Sequence, residues 1–311
     1  MFRLLKSSFF KLIKDWTLRI TLIIGLALAI FLTVLYGMMD ASFADGYHSS
    51  LCGQSSLINS FSPSQNFGIA IPINLAIFTI LEFSQGTIRN KIVVGNSKLK
   101  VYISLLITGL LFTFALLIIY VGFSTILGTI FGKGFFPNYS GEEEYIKEMI
   151  KSQTLDIATL VRFVIIGLLS YVTITSFAVF VGTLLRNIGP SIPLIIVPLV
   201  LLSLIPMFIY PFALSYYSCL ESANEALEIG NNEMYNYYME MANSYKSFVG
   251  IDNALQIFDP FYIYGIIMNT TFGEHIQISS SLFTKQVLSN ICYSGLFSFF
   301  GALIFTHRDL K

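Results

Sequence analysis

The stretch VYISLLITGLLFTFALLIIYVGFSTILGTIFG, residues 101–132, decides the fold class because it contains no Asp, Glu, Lys or Arg. A membrane-spanning helix needs about 20 mostly apolar residues, and this run is long enough for one tilted helix with an outer extension. Five other uncharged runs have spanning length, namely Ile20–Met39, Tyr47–Leu81, Phe163–Leu185, Asn187–Leu220 and Gln286–Thr306. With 55% hydrophobic and 12% charged residues, the chain is predicted to be an all-α polytopic membrane protein.

The charged residues predict an orientation once six spans are drawn at about 20–39, 66–82, 101–122, 161–185, 190–213 and 286–305. One side then carries twelve basic and three acidic residues, a net +9, and the other carries −9. Lysine and arginine excess marks cytoplasmic loops, so both termini are predicted to be cytoplasmic. The overall net charge of zero gives no reason to expect a nucleic-acid partner.

Segments outside the spans are predicted to be helical. Residues 1–17 place Phe2, Leu5, Phe9, Leu12 or Ile13, and Trp16 on one stripe, which is typical of a basic amphipathic helix on the membrane surface. The alternative is that this helix simply extends the first span. Residues 133–160 predict a solvated helical excursion. Residues 215–285 predict an outer helical cap of two helices broken near Gly230, and Phe261–Phe272 predicts an interfacial or re-entrant half-helix.

Catalytic and ion-relay chemistry are not indicated. The chain has no phosphate-binding loop, its three histidines are scattered, and no metal-ligand spacing is present, so we expect neither an enzyme nor a metal site. Within the predicted spans only Glu82 and Arg162 are charged, both at span ends, which argues against an ion relay. Cys52 and Cys219, both predicted to lie outside, are candidates for a disulfide.

Proline and polar residues interrupt two spans. Pro72 and Asn74 lie in the second span, and the fifth holds Pro190, Pro193, Pro198, Pro206 and Pro211. Prolines leave backbone carbonyls without their helical partners. These spans therefore either line a translocation path, with Pro72, Asn74, Pro193, Pro198 and Pro206 as its candidate residues, or are kinked for packing.

The loop between the second and third spans, EFSQGTIRNKIVVGNSKLK at residues 82–100, carries a resemblance to a known family. Its order of Glu82, Gly86, Thr87, Ile88, Arg89, Asn90 and Gly95 resembles the loop of ABC-2 type permeases, the membrane subunits of ATP-binding-cassette exporters. The six-span layout, the amphipathic amino-terminal helix, similar to that family's elbow helix, and the basic tail IFTHRDLK extend the resemblance to the whole chain, residues 1–311, as one permease domain.

The resemblance implies that residues 82–100 form a coupling loop whose short helix enters a cleft of a separate ATPase subunit. Ile88, Ile92 and Val93 are predicted to supply an apolar face, with Arg89, Lys91 and Lys98 beside it. The family resemblance further implies a second permease copy or paralogue, ATP and Mg²⁺ bound by the partner ATPase and not by this chain, and a bacterial cell membrane location.

The expected cargo is amphipathic or hydrophobic, such as a peptide, drug or lipid-like molecule, because the spans are apolar and aromatic. Outward transport is implied by the family resemblance alone. An alternative function from a different class is a membrane sensor or immunity protein that binds an extracellular peptide with residues 215–285 and does not transport it.

Overall fold

The computed structural model describes residues 2–14, 16–43, 46–48, 50–61, 67–185, 187–264 and 278–307. These residues form helices almost throughout, joined by short turns and one two-residue strand pair. The helices are α1 (Phe2–Lys14), α2 (Trp16–Phe43), α3 (Gly53–Ser60), α4 (Phe67–Ser84), α5 (Thr87–Val93), α6 (Lys98–Phe131), α7 (Glu144–Gln153), α8 (Ile157–Leu184), α9 (Ile188–Glu228), α10 (Asn232–Phe258) and α11 (Ser280–His307). The strands are β1 (Tyr47–His48) and β2 (Asn138–Tyr139).

Five helices are long and apolar enough to cross a membrane: α2, α6, α8, α9 and α11. The remaining predicted span, the second at residues 66–82, corresponds to α4, which together with α5 forms a pair that is bent by 58°. α4 alone is about 27 Å long, slightly less than the hydrocarbon thickness of a typical bilayer. The chain is therefore an all-α polytopic membrane protein with five or six candidate spans, and α6 is one continuous helix, as predicted.

Helix α8 lies at the centre of the bundle and packs against α4, α6 and α11. Its buried face is rich in small and hydroxyl-bearing residues, among them Gly167, Ser170, Thr175 and Gly182. Such residues let membrane helices approach closely, and Thr175 shares a 2.8 Å hydrogen bond with Thr113 of α6. By contrast, α2, α9 and α11 expose large apolar side chains along most of their length, as helices in contact with lipid do.

The first two loops on the predicted outer side pack against each other. β1 pairs with β2 in antiparallel fashion, and Tyr47 forms a small apolar cluster with Ile146 and Ile150 of α7. Gln54 of α3 joins the loops more tightly, because its amide donates to the Gln153 carbonyl at 3.0 Å and accepts from the Leu155 N–H at 3.1 Å. The helical excursion predicted within 133–160 is present as α7.

Helices α9 and α10 form an antiparallel hairpin with its turn at residues 229–231, where the sequence predicts a break. Gly230 has φ +76°, a left-handed conformation that suits glycine. Near the turn the helices approach through the buried alanines Ala223, Ala226 and Ala242. The first helix of the predicted cap is not separate, since α9 runs without a break from the fifth span to Glu228.

After α10 the chain turns inside the helical bundle. The Pro260 carbonyl accepts hydrogen bonds from Ser170 of α8 at 3.3 Å and from Asn290 of α11 at 3.1 Å. Asn290 lies about 15 Å along the axis from Ser280, where α11 begins, so the contact is well inside this helix. Residues 259–264 therefore form a buried turn between α8 and α11, which we name the re-entrant turn because the chain folds back into the bundle there; the interfacial or re-entrant position of Phe261–Phe272 in a membrane stays a prediction. Residues 265–272 of that prediction lie outside the described residues.

Candidate partner-docking site

The loop at residues 82–100 folds into a short helix that points away from the span before it. Gly86, with φ +67°, precedes α5 and lets the chain leave α4 abruptly, which produces the 58° bend. A second left-handed glycine, Gly95 with φ +95°, ends the loop, and Ser97 then caps α6 by accepting a hydrogen bond from the Lys100 N–H. α5 is thus a separate helix of two turns, held between two glycine hinges.

Glu82, at the end of α4, is fully buried and holds the bend in place. Its two carboxylate oxygens pair with Lys11 of α1 at 2.7 Å and with Lys91 of α5 at 2.6 Å. Because one carboxylate binds two ammonium groups, helices α1, α4 and α5 are joined at one point. The favourable Coulomb interaction offsets the desolvation of Glu82 only because both oxygens are paired.

Further hydrogen bonds complete this group, which we name the Glu82 cluster: Glu82, Lys11, Lys91, Ser8, Gln85 and Thr87. Lys11 also donates to Gln85 Oε1 at 2.9 Å and to Thr87 Oγ1 at 3.1 Å. Lys91 donates to Ser8 Oγ at 2.9 Å, and Ser8 is buried on α1. The amphipathic amino-terminal helix therefore docks on the loop with a polar face, while Phe10 remains exposed for contact with lipid.

The prediction that Ile88 presents itself to a partner is wrong. Ile88 is only 1% exposed and belongs to the main hydrophobic core, and Ile92 packs against that core. The apolar face of α5 is used within this chain, because an exposed two-turn helix needs such packing to be stable. The surface that a partner can reach consists of Arg89, Asn90, Val93, Val94 and Gly95, with Val93 76% and Val94 82% exposed.

The basic residues of the loop divide in the same way. Lys91 pairs with Glu82 within the Glu82 cluster, and Lys98 donates a hydrogen bond at 3.0 Å to the Thr306 carbonyl in the last turn of α11. Arg89 and Lys100 remain exposed. The exposed tip of the loop is therefore a small surface with apolar, amide and cationic groups.

The candidate residues of the translocation path differ in burial and in the residues they contact. Pro72 is buried in α4, and Asn74 donates to Thr21 of α2 at 2.7 Å and to the Ala70 carbonyl at 2.8 Å. Of the prolines inside α9, Pro193 is exposed and Pro206 is buried. Pro198 lines a cavity of about 60 Å³ together with Phe177, Phe261, Tyr293 and Phe297, among other apolar residues.

The predicted disulfide is absent, since Cys52 and Cys219 are both thiols. Cys52 is buried and caps α3, where its sulfur accepts a hydrogen bond from the Ser55 N–H. Cys219 lies on the outer part of α9. The sulfur of Cys52 is thus used locally, for the start of a helix.

Sequence reasoning missed a group of polar residues at the re-entrant turn. Asp252, Asp259, Gln286 and Asn290 are all buried, although each was assigned to an outer loop or to an unremarkable stretch of span. Asp252 and Asp259 lie outside the predicted spans, so they do not bear on the prediction that only Glu82 and Arg162 are charged within them. The dipeptide Asp259-Pro260 directly before an apolar run, which favours a turn, was the available signal.

Comparison of the chain with models of protein families, with curated proteins and with solved structures finds no match.

Proposed function

We propose that this chain is the permease subunit of an ATP-binding-cassette exporter of the ABC-2 type. The observation that carries the proposal is the loop at residues 82–100: a short helix at 58° to its span, fixed to the amino-terminal helix by Glu82, with an exposed tip at Arg89–Gly95. This is the arrangement expected of a coupling helix that receives motion from a partner. The resemblance of the loop sequence to that family supports the same assignment.

In this proposal the coupling helix faces the cytoplasm together with both termini. ATP and Mg²⁺ are bound by two ATPase subunits, whose closure pushes on the tip of α5. Because the Glu82 cluster joins α5 to α4 and α1, the push moves three helices as one unit and is not absorbed at the Gly86 hinge. The movement opens a path outward between this permease and a second copy or paralogue.

The exposed apolar faces support a membrane-embedded assembly. Large apolar side chains on α2, α9 and α11 are uncovered, including Phe31, Phe208 and Phe299. Lipid of a bacterial plasma membrane covers most of them, and a second permease covers the remainder. The cargo that suits such surfaces is amphipathic or hydrophobic.

The test is co-purification of the tagged full-length chain from its source cells, with mass spectrometry of the bound proteins. We expect an ATPase with a phosphate-binding loop. Val94→Asp and Arg89→Glu change only the exposed tip, so these variants should insert and fold normally but lose the ATPase. Lys100→Gln, an exposed basic residue outside the tip, is the matched control and should retain it.

Ile88→Asp is unsuitable for this test because it places a charge in the core and destabilises the chain itself. The proposal fails if no ATPase co-purifies with the wild-type chain, or if Val94→Asp retains both the ATPase and the wild-type rate of ATP hydrolysis.

One observation favours the second candidate, a sensor that binds an extracellular peptide. The α9–α10 hairpin exposes Glu221, Glu225, Glu228, Glu233 and Glu240 against one exposed lysine, Lys246. Tyr217 and Tyr237 are exposed among them. This acidic, aromatic surface suits a cationic peptide. Absence of a bound ATPase, combined with peptide binding that is lost on removal of the acidic residues, would favour the sensor over the exporter.

A further inference from the structure

Among the described residues, several buried oxygen atoms at or beside residues 259–264 lie without a hydrogen-bond partner: Tyr264 Oη, which lies near Gly167 of α8, and three others on α10 and α11 or at their ends. These three are Asp259 Oδ2, Gln286 Oε1 and Ser289 Oγ, and we name these residues the Asp259 cluster. Asp259 is 1%, Gln286 0% and Ser289 5% exposed. Buried polar atoms in proteins nearly always have a partner, so each of these oxygens has room for one that the described residues do not supply.

The hydrogen bonds around these atoms place them on neighbouring groups. Gln286 Nε2 donates to the Asp259 carbonyl at 3.0 Å and to the Gln256 carbonyl at 3.0 Å. Ser289 follows Gln286 by one helical turn of α11, and Asn290 beside it donates to the Pro260 carbonyl. This face of α11 is therefore directed at the residues where the chain turns.

The charge balance differs between the two aspartates of this region. Both oxygens of Asp252 accept hydrogen bonds, from Tyr262 at 2.7 Å and from Gln256 at 2.9 Å, and Lys285 interacts with Asp252 electrostatically. Among the described residues, the carboxylate of Asp259 accepts one hydrogen bond, from the Phe261 N–H at 2.8 Å, and no lysine or arginine pairs with it. Asp259 thus has a buried carboxyl group with one open oxygen and, in its ionised form, no counter-ion among the described residues.

An uncompensated carboxylate inside a membrane bundle is costly, and such groups mark ion or substrate sites. The open groups here are oxygen atoms, which are the ligands of hard cations. One carboxylate with two neutral oxygens suits a single positive charge better than a divalent ion, which usually takes more carboxylates.

We propose that Asp259, Gln286 and Ser289 bind a monovalent alkali cation of the sodium class at the re-entrant turn. The ion supplies the missing charge for Asp259 and a partner for the two neutral oxygens. Because Asp259 ends α10 and the other two residues belong to α11, the ion ties these helices together. The site is independent of the ATPase partner and adds sodium dependence to the chain itself.

The test uses the purified full-length chain in lipid nanodiscs. Its thermal unfolding is measured in sodium chloride and in choline chloride at equal ionic strength, and ²²Na⁺ binding is measured directly. We expect sodium to raise Tm along a saturable curve, with one ion bound per chain. The sodium-dependent shift should vanish in Asp259→Asn, which retains the shape of the side chain and removes its charge.

Two variants separate ligation from folding. Ser289→Ala removes a hydroxyl that makes no hydrogen bond, so it should leave Tm in choline unchanged while the half-saturating sodium concentration rises several-fold. Asp252→Asn is the matched control, because the oxygens of Asp252 already have partners, and it should keep the sodium response.

The principal alternative occupant is a proton on Asp259. The titratable groups around it are Asp252 on α10, Tyr262 in the turn, and Lys285 and Tyr293 on α11, while α8 contributes the neutral Ser170. A wild-type Tm that rises at low pH but is equal in sodium and choline would identify the proton and overturn the proposal. Sodium binding that survives in Asp259→Asn would overturn it as well.

Discussion

Two buried carboxyl groups, Glu82 and Asp259, differ in how many of their oxygens have a partner. Both oxygens of Glu82 are paired with lysines on other helices, at 2.7 and 2.6 Å. Asp259 has one oxygen bound to a backbone N–H and one oxygen without a partner among the described residues. The same functional group is therefore fully paired at the loop of residues 82–100 and only partly paired at the re-entrant turn.

The difference separates a structural joint from a binding site. A carboxylate that is fully paired has no capacity for a further ligand, and its neighbours cannot move apart without exposing unpaired charge. A carboxylate with an open oxygen has that capacity, and the elements around it stay separable until the ligand arrives. On this basis, we expect the Glu82 cluster to behave as a rigid body and the Asp259 cluster to respond to its ionic surroundings.

Removal of the carboxylate at the joint should have the largest effect. Glu82→Ala leaves Lys11 and Lys91 without a counter-ion, and breaking a buried pair in this way costs about 3–5 kcal/mol of unfolding free energy. The half-exposed Lys11 reduces its share, since its ammonium can reach water. Denaturant unfolding of the full-length chain measures the change.

A rescue variant sharpens this prediction. Replacing Glu82 with Leu together with Lys11→Met and Lys91→Met removes the charges as a set, and should regain most of the lost stability because apolar groups of similar volume often replace buried ion pairs without loss. A Glu82→Ala chain as stable as the wild type would show that the three helices are not joined through this carboxylate.

Packing of the re-entrant turn should be sensitive to a single methyl group. A Cβ atom at Gly167 of α8 would lie 2.5 Å from the Tyr264 hydroxyl oxygen and 2.6 Å from Phe61 Cδ1. Gly167→Ala should therefore cost about 1–3 kcal/mol by overpacking. Gly122→Ala on α6 is the control, because a Cβ there meets no atom within 4 Å and alanine favours the helix. Equal thermal stability of the two variants would contradict the close approach of the turn to α8.

Neutralising Asp259 should have the smallest effect on stability. In choline chloride, Asp259→Asn removes an uncompensated charge and keeps the acceptor for the Phe261 N–H, so the change should stay within about 1 kcal/mol or be stabilising. Glu82→Gln, the same chemical change at the paired carboxylate, should be clearly destabilising. Similar losses for both variants, measured side by side by thermal unfolding, would remove the distinction between joint and binding site.

The sequence was sufficient for features that depend on local pattern. Uncharged runs of spanning length predict the long helices, Gly230 and its neighbours predict the hairpin turn, and Gly86 predicts the start of α5, since each depends on the residues immediately around it. The short helix predicted in the loop at residues 82–100 is present as α5, while its role in coupling stays a prediction.

Features that depend on contacts between distant segments could not be predicted. Ile88 reads as an exposed apolar residue of a short loop, and only the packing of α5 against its own bundle shows it to be core. Asp259 reads as a residue of an outer loop, because nothing in its neighbourhood reports that α10 returns to the level of Asn290. Likewise, the whole of α2, α3 and α4 separates Lys11 from Lys91 along the chain, and basic residues at both positions are equally explained by orientation in the membrane.

The continuity of α9 has a mechanical consequence. From Ile188 to Glu228 the helix is about 60 Å long, about twice the hydrocarbon thickness of a bilayer, and it carries the hairpin turn at its carboxyl end, the predicted outer end. A tilt of about 5° at the inner end displaces the tip by about 5 Å, provided that the rod does not bend. Pro193, Pro198, Pro206 and Pro211 interrupt its backbone hydrogen bonds at intervals, and these positions set its bending stiffness. A force applied at one end of α9 is therefore transmitted to the other end, and the spacing of the four prolines determines how much the helix bends in between.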